Sequence, residues 1–255
     1  MLGGMNRPLI LKLAILAVVS LLICIVLAQI GGLVGERQMR QREAERSVEQ
    51  SLAGPQALTG PLVVRACKES WPAIGSDKRE TLESRDFWLV AAPDKLRVNG
   101  GISPVVRYRG LFKVNTFAGQ LGVEGHWDSL SALMPKATQP NSRLACAEPA
   151  VIVALSDPRG IRSAELKRDG RELGVQPGTT YPAFRGGLHA VLPELRTDEP
   201  LNVTLKLNLV GSQRLGLVPA AGHTQVALQS SWPHPSFTGQ FLPVEHQVGV
   251  SGFNA

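Results

Sequence analysis

The sequence predicts a mainly β fold: one N-terminal transmembrane helix, a charged stalk helix continuing it, and then an antiparallel β-sandwich-like domain. Three observations carry this. Residues 13–34 form an uncharged apolar run. From Gly60 onward the apolar pattern alternates with period two instead of following a helical period. The chain holds 26 Gly and 18 Pro, and many of them punctuate the alternating segments, as they do in all-β domains.

Residues 1–12 precede the run as a short tail carrying Arg7 and Lys12. The run, LAILAVVSLLICIVLAQIGGLV, contains one strongly polar residue, Gln29. About 22 residues at about 1.5 Å each reach about 33 Å, enough for a bilayer core of about 30 Å. A lipoprotein would need a small residue before Cys24; Ile23 stands there and excludes it. A cleaved signal peptide would use Val26-Leu27-Ala28 as its site. Apolar character continuing through Ile30, Leu33 and Val34 favours an uncleaved anchor instead.

Residues 35–54 follow as the stalk. They are rich in helix formers, Glu36 and Arg40 stand at i,i+4, and Ala44, Val48 and Leu52 make only a thin apolar stripe. Arg37, Arg40, Arg42 and Arg46 outnumber the cations ahead of the span. By Lys/Arg count alone, the remainder would be cytoplasmic.

Residues 55–255 form the β-rich domain. In LNVTLKLNLVG, Leu201, Val203, Leu205, Leu207 and Leu209 point one way, which is the signature of a half-buried strand. GQLGVEGHW repeats it with Leu121, Val123 and Trp127 inward, and TQVALQSSW puts Val226 and Leu228 on one face. PAVIVALSD is a continuous apolar run and fits a fully buried strand. Turn signals stand at Asn99-Gly100-Gly101, Asp157-Pro158-Arg159-Gly160, Asp169-Gly170 and Pro177-Gly178. DSLSALMPKA is the candidate for a short helix.

Little in the sequence points to catalysis or to a cofactor. There is no Gly-Lys dipeptide, no Ser-x-x-Lys, Gly-x-Ser-x-Gly, His-Glu-x-x-His or Cys-x-x-Cys. The five histidines are not paired at metal-ligand spacing. A net charge of +6 invites a nucleic-acid partner, but the cations are scattered among acids with no aromatic interleaving. A basic surface near anionic lipid headgroups accounts for it better, so the expected partner is the bilayer, with other proteins of the same compartment as further candidates. Asp157 and Arg159 read as turn chemistry, with ligand contact as the alternative. Cys67 and Cys146 are the two cysteines beyond the span. They are either one disulfide in an oxidising compartment or two unrelated buried thiols.

The segment SSWPHPSFTGQFLP, residues 230–243, concentrates aromatic surface between prolines. Its rigid loop makes Trp232, Pro233, His234, Pro235, Phe237 and Phe241 a candidate membrane- or partner-facing surface. Packing as a corner cluster under the sheet is the competing reading. Together with GPQALTGPLVV, DPRGI and the closing SGF, the segment resembles the CreD family of bacterial inner-membrane proteins, in order along nearly the whole chain. The resemblance implies a periplasmic β-domain behind a first membrane helix, against the arginine count. It also implies a role in cell-envelope integrity under two-component control, and no catalytic activity. Members of that family continue into further membrane helices, which are absent from these 255 residues. A periplasmic module that binds or senses an envelope glycan or lipid is the alternative function.

Overall fold

The computed structural model describes residues 7–74 and 80–255. The first half of the predicted N-terminal tail, residues 1–6, lies outside the described residues. The chain divides into two compact units, one ending at Ser47 and one running Val48–Ala255. A single helix, α1 (Arg7–Ser51), holds both the apolar run and the charged segment. The charged stalk is therefore not a separate helix, because nothing between Val34 and Ser51 breaks the helical hydrogen bonds. Gly35 costs propensity, about 1 kcal/mol, but does not terminate. Every residue from Leu11 to Val34 is exposed, and an 18-residue window reaches a mean hydropathy of 3.0. A helix apolar on all sides suits a lipid environment.

Among the described residues of the second unit, fifteen strands form two sheets. They are β1 (Gln56–Ile74), β2 (Glu80–Ala91), β3 (Lys95–Arg109), β4 (Phe112–Trp127), β5 (Arg143–Cys146), β6 (Ala150–Leu155), β7 (Ile161–Arg168), β8 (Arg171–Leu173), β9 (Gln176–Pro177), β10 (Gly187–Val191), β11 (Leu201–Ser212), β12 (Leu215–Val218), β13 (His223–Ser230), β14 (Gln247–Gly249) and β15 (Gly252–Asn254). The first sheet is built on β1, which pairs with β12, β2, β5 and β6 in different stretches; β10 and β9 follow β6. The second runs β14-β15-β13-β3-β4-β11-β7-β8. The pairing is mostly antiparallel, with two exceptions: β1 with β12 and β3 with β13 are parallel. Strands so distant in sequence are not joined by hairpins, so no tight turn dictates their direction.

One apolar core lies between the sheets. Val63, Val151, Val153 and Leu188 meet Val98, Val123, Trp127 and the five inward residues of β11. Each of those five is at most 1% exposed, and burial of such side chains stabilises by about 1.5–3 kcal/mol apiece. Trp127 satisfies its indole N–H on the Ala91 carbonyl, 3.1 Å away. The uninterrupted apolar run of β6 is explained by burial on both faces. Its outer residues Ala150 and Ile152, with Leu62 and Val64, lie under Trp88, Tyr181 and Phe184.

Two local expectations fail for identifiable reasons. Asn99-Gly100-Gly101 lies inside β3, not at a turn. A Cβ on Gly100 would stand 2.5 Å from the Leu121 side chain and 2.6 Å from the Gln120 carbonyl, so close strand packing selects that glycine. In β13, Val226 and Leu228 share a face as their spacing requires; Leu228 packs against the core and Val226 stays 40% exposed, because β13 borders the sandwich. The expected short helix is a 3-10 turn, Ser131–Leu133. It is cut short before Pro135 and held by the buried Leu130 and Leu133.

Candidate functional site

The densest polar constellation in the second unit encloses the last turn of α1. Asp157 precedes a 3-10 turn, Pro158–Gly160, and accepts the Arg159 backbone N–H at 3.2 Å. Its carboxylate also accepts the Gly54 N–H at 2.9 Å and both Nε and Nη2 of Arg159, at 2.9 and 2.6 Å. The same guanidinium donates to the carbonyls of Gln50 and Glu49, at 3.0 and 3.3 Å. These are carbonyls that a helix end leaves without partners, and a cation there also opposes the negative end of the helix dipole.

Gln56, 2% exposed, closes the socket. Its amide donates to the carbonyls of Asp157 and Val210, and its oxygen accepts the Asp157 N–H. Gly160 must lack a side chain, since a Cβ would stand 2.3 Å from Gln56 Nε2 and from the Val210 carbonyl. The Arg159 hydrogen bonds, with the Gly54 N–H, hold the Asp157 carboxyl below its ordinary range although burial opposes this. Both oxygens of Asp157 and most donors of Arg159 are thus spent within the chain. The pair forms the expected turn and also a helix clamp; it is not free to bind a ligand.

A second cluster lies further along β1. Cys67 stands opposite Cys146 across the β1–β5 pair, with the sulfurs 2.01 Å apart. The Ala147 N–H donates to the Ala66 carbonyl, which makes 67/146 a pair without its own ladder hydrogen bonds, where side chains come closest. Two residues on, Glu69 is fully buried. Its carboxylate accepts the backbone N–H groups of Thr138 and Gln139, the hydroxyls of Thr138 and Ser142, and Arg85. Led by the Thr138 hydroxyl, these donors lower its pKa to about 2 despite desolvation. Sequence reading missed Glu69. The available signal was its parity with Cys67, which puts a carboxylate on the inward face.

The candidate loop divides in two. Trp232 turns its indole N–H back to the His234 carbonyl, and Phe237 packs against Phe253 and His246 at 5.5 and 5.7 Å. Pro233 and Pro235 are half-buried and His234 is exposed. Phe241 is 77% exposed and is followed by exposed Leu242, Val244, Val248 and Val250. The outward apolar surface therefore starts at Phe241, not at Trp232.

Among the described residues no three His, Cys, Asp or Glu side chains form a group that would hold a metal. His126 has both ring nitrogens engaged, by Asn202 and Asp128, which raise its pKa. Neither nitrogen remains for activating a nucleophile.

The profile described as "Inner membrane protein CreD" matches residues 8–255. The chain belongs to the CreD family. Inner membrane protein CreD of Escherichia coli (strain K12) is 31% identical over 257 residues, covering 98% of this chain and 55% of that protein. The chain thus spans about half the length of this CreD relative. Among solved structures, the InvG secretin β-barrel of the Salmonella SPI-1 injectisome aligns over 61% of both chains, at 9% identity and a TM-score of 0.10. A second InvG secretin structure aligns over 60% of each chain at 10% identity and 0.09. Neither likeness carries an argument. Two stretches quoted for the CreD resemblance, GPQALTGP and DPRG, meet in the socket at Gly54, Gln56, Asp157 and Gly160.

Proposed function

We propose that this CreD-family protein is a non-catalytic component of envelope maintenance. Residues 1–12 are cytoplasmic, the apolar part of α1 spans the bilayer, and the β-domain works in the periplasm under two-component control. The socket is the observation that carries this reading. Its polar groups converge on a helix end and on strand backbones, an arrangement suited to mounting a domain and not to chemistry on a substrate. The exposed loop from Phe241 onward seats the same domain against the bilayer. A membrane-impermeant maleimide applied to spheroplasts tests the orientation. Labelling of Cys67 and Cys146 only after reduction fits a bonded pair in the periplasm; labelling only after membrane rupture, without reductant, places the domain in the cytoplasm. For the role itself, a strain deleted for the gene should leak a periplasmic marker under detergent stress. The wild-type chain should restore it, and an Asp157→Ala chain that still inserts should not. An unaltered deletion strain removes the envelope role.

One observation favours binding as a second reading. A groove of about 670 Å³ lies on the second sheet, lined by Asn99, Gly101, Gly122, Gln229, His246 and Asn254 among others. Its amide groups, with the Glu245 carboxylate beside them, suit a polyhydroxyl ligand such as a glycan. Saturable binding of soluble envelope glycan, lost on Gly122→Leu, would move this reading ahead of the first.

A further inference from the structure

The end of the β3–β4 hairpin has a composition that its position does not explain. Beyond Ile102 and Thr116, these two strands have only each other as strand partners, because β13 stops at Ile102 and β11 at Thr116. Since Val105 pairs with Thr116, residues 106–115 form a two-stranded ribbon, a form of marginal stability in water. Val114 and Thr116 are buried, and Arg109 reaches the Ser51 hydroxyl at 3.4 Å. Phe112 is half-buried, and the rest of the ribbon faces outward. Tyr108 is 69% exposed and Leu111 98%. Leu111 follows Gly110 in a two-residue turn; Gly110 takes the positive φ, so the turn itself does not require Leu111, whose apolar side chain stands at a solvated apex.

Charge supplies the second half of the argument. Arg107, Arg109 and Lys113 are exposed, and no Asp or Glu occurs between Ile102 and Asn115. Among the described residues none of the three joins an ion pair. An apolar residue at the apex, a tyrosine beside it and three unpaired cations behind it match an interfacial lipid contact: acyl boundary, glycerol level, anionic headgroup. Position agrees. Because β13 runs parallel to β3, the chain leaves Ser230 toward the same end of the sheet, and Ser51 lies there too.

We propose that the end of the β3–β4 hairpin is a binding surface for anionic lipid headgroups, inserting Leu111 at the bilayer surface. This rests on the seating reading above for which end of the domain meets the bilayer.

The test uses the full chain, with Cys24→Ala and a fluorophore on Leu111→Cys, in nanodiscs holding lipid with a quencher near the headgroup. One set contains phosphatidylcholine only, the other about a quarter phosphatidylglycerol. Each cation favours the anionic surface roughly fivefold. Quenching should therefore appear with phosphatidylglycerol and fall on Arg107→Gln with Lys113→Gln, which spare the Arg109–Ser51 contact. Equal quenching in both lipids overturns the anionic recognition. No quenching overturns the contact; if two labels then report each other, the surface instead meets a second copy. A parallel label on Phe241→Cys separates the two readings. Quenching there but not at Leu111 sinks only the hairpin, silence at both sinks the seating as well, and quenching at Leu111 alone leaves the hairpin and removes the loop.

Discussion

Arg159 joins two stretches of chain with one side chain: it holds Asp157 and caps the carbonyls of Glu49 and Gln50. Because the guanidinium is 57% exposed, its ion pair is screened, and the value of the socket lies in the backbone groups it satisfies. Asp157→Ala leaves the buried-side Gly54 N–H without its acceptor and should cost about 1–3 kcal/mol, read as a lowered urea midpoint of the detergent-solubilised chain. Gly160→Ala should cost at least as much, because the new methyl meets Gln56 and a strand carbonyl at 2.3 Å; an unchanged melting temperature would show that the socket gives way. Glu69 makes stability depend on acid. Its carboxyl titrates at 4.5 when unperturbed and about 2 in the fold. The stabilisation is complete above pH 4.5 and is lost as pH falls from there through about 2. Glu69→Gln should be less stable at neutral pH and should flatten the pH dependence in that window, measured by thermal melts across it.

Among the elements, β11, β4 and β6 were legible because their patterns report burial directly: period two for one buried face, no period for two. What escaped notice was whatever depends on a distant partner. DPRG announces a turn, but that turn receives Gln56 and Val210 from remote strands, and no local signal encodes this. Glycine in Asn99-Gly100-Gly101 resembles turn chemistry, yet Gly100 is needed for contact with Leu121. The charged segment after the span was readable as helix; its continuity with the span depends on hydrogen bonds that charge does not disturb. β5 is four residues long and, among the described residues, pairs with β1 alone, so it depends on its tie at Cys67. Replacing both cysteines by serine opens a loop of sequence separation 79. In the chain-entropy model this should cost about 4 kcal/mol. Amide exchange would show it first in Arg143–Cys146, and unchanged protection there would contradict the role given to the bond.

At the scale of the molecule, the second unit begins with the last turn of the helix, at Val48, so the domain includes part of its own mount. A fragment of residues 48–255 should melt above one of residues 55–255, which lacks the carbonyls that Arg159 caps. In a unit of this size each kcal/mol shifts the melting temperature by about 2–4 °C, and equal melting would mean the clamp contributes nothing to the domain. The strand order also sets a schedule for biogenesis. β1 is the first strand to emerge, yet its partners arrive piecemeal, and β12, which pairs with Gln56–Thr59, comes last. At synthesis rates of about 5–20 residues per second, one edge of β1 stays open for roughly 10–30 s. During that interval the nascent chain offers an unpaired, apolar template to any neighbouring copy, so its yield in the cell should be limited by holdase capacity before it is limited by the stability of the finished fold.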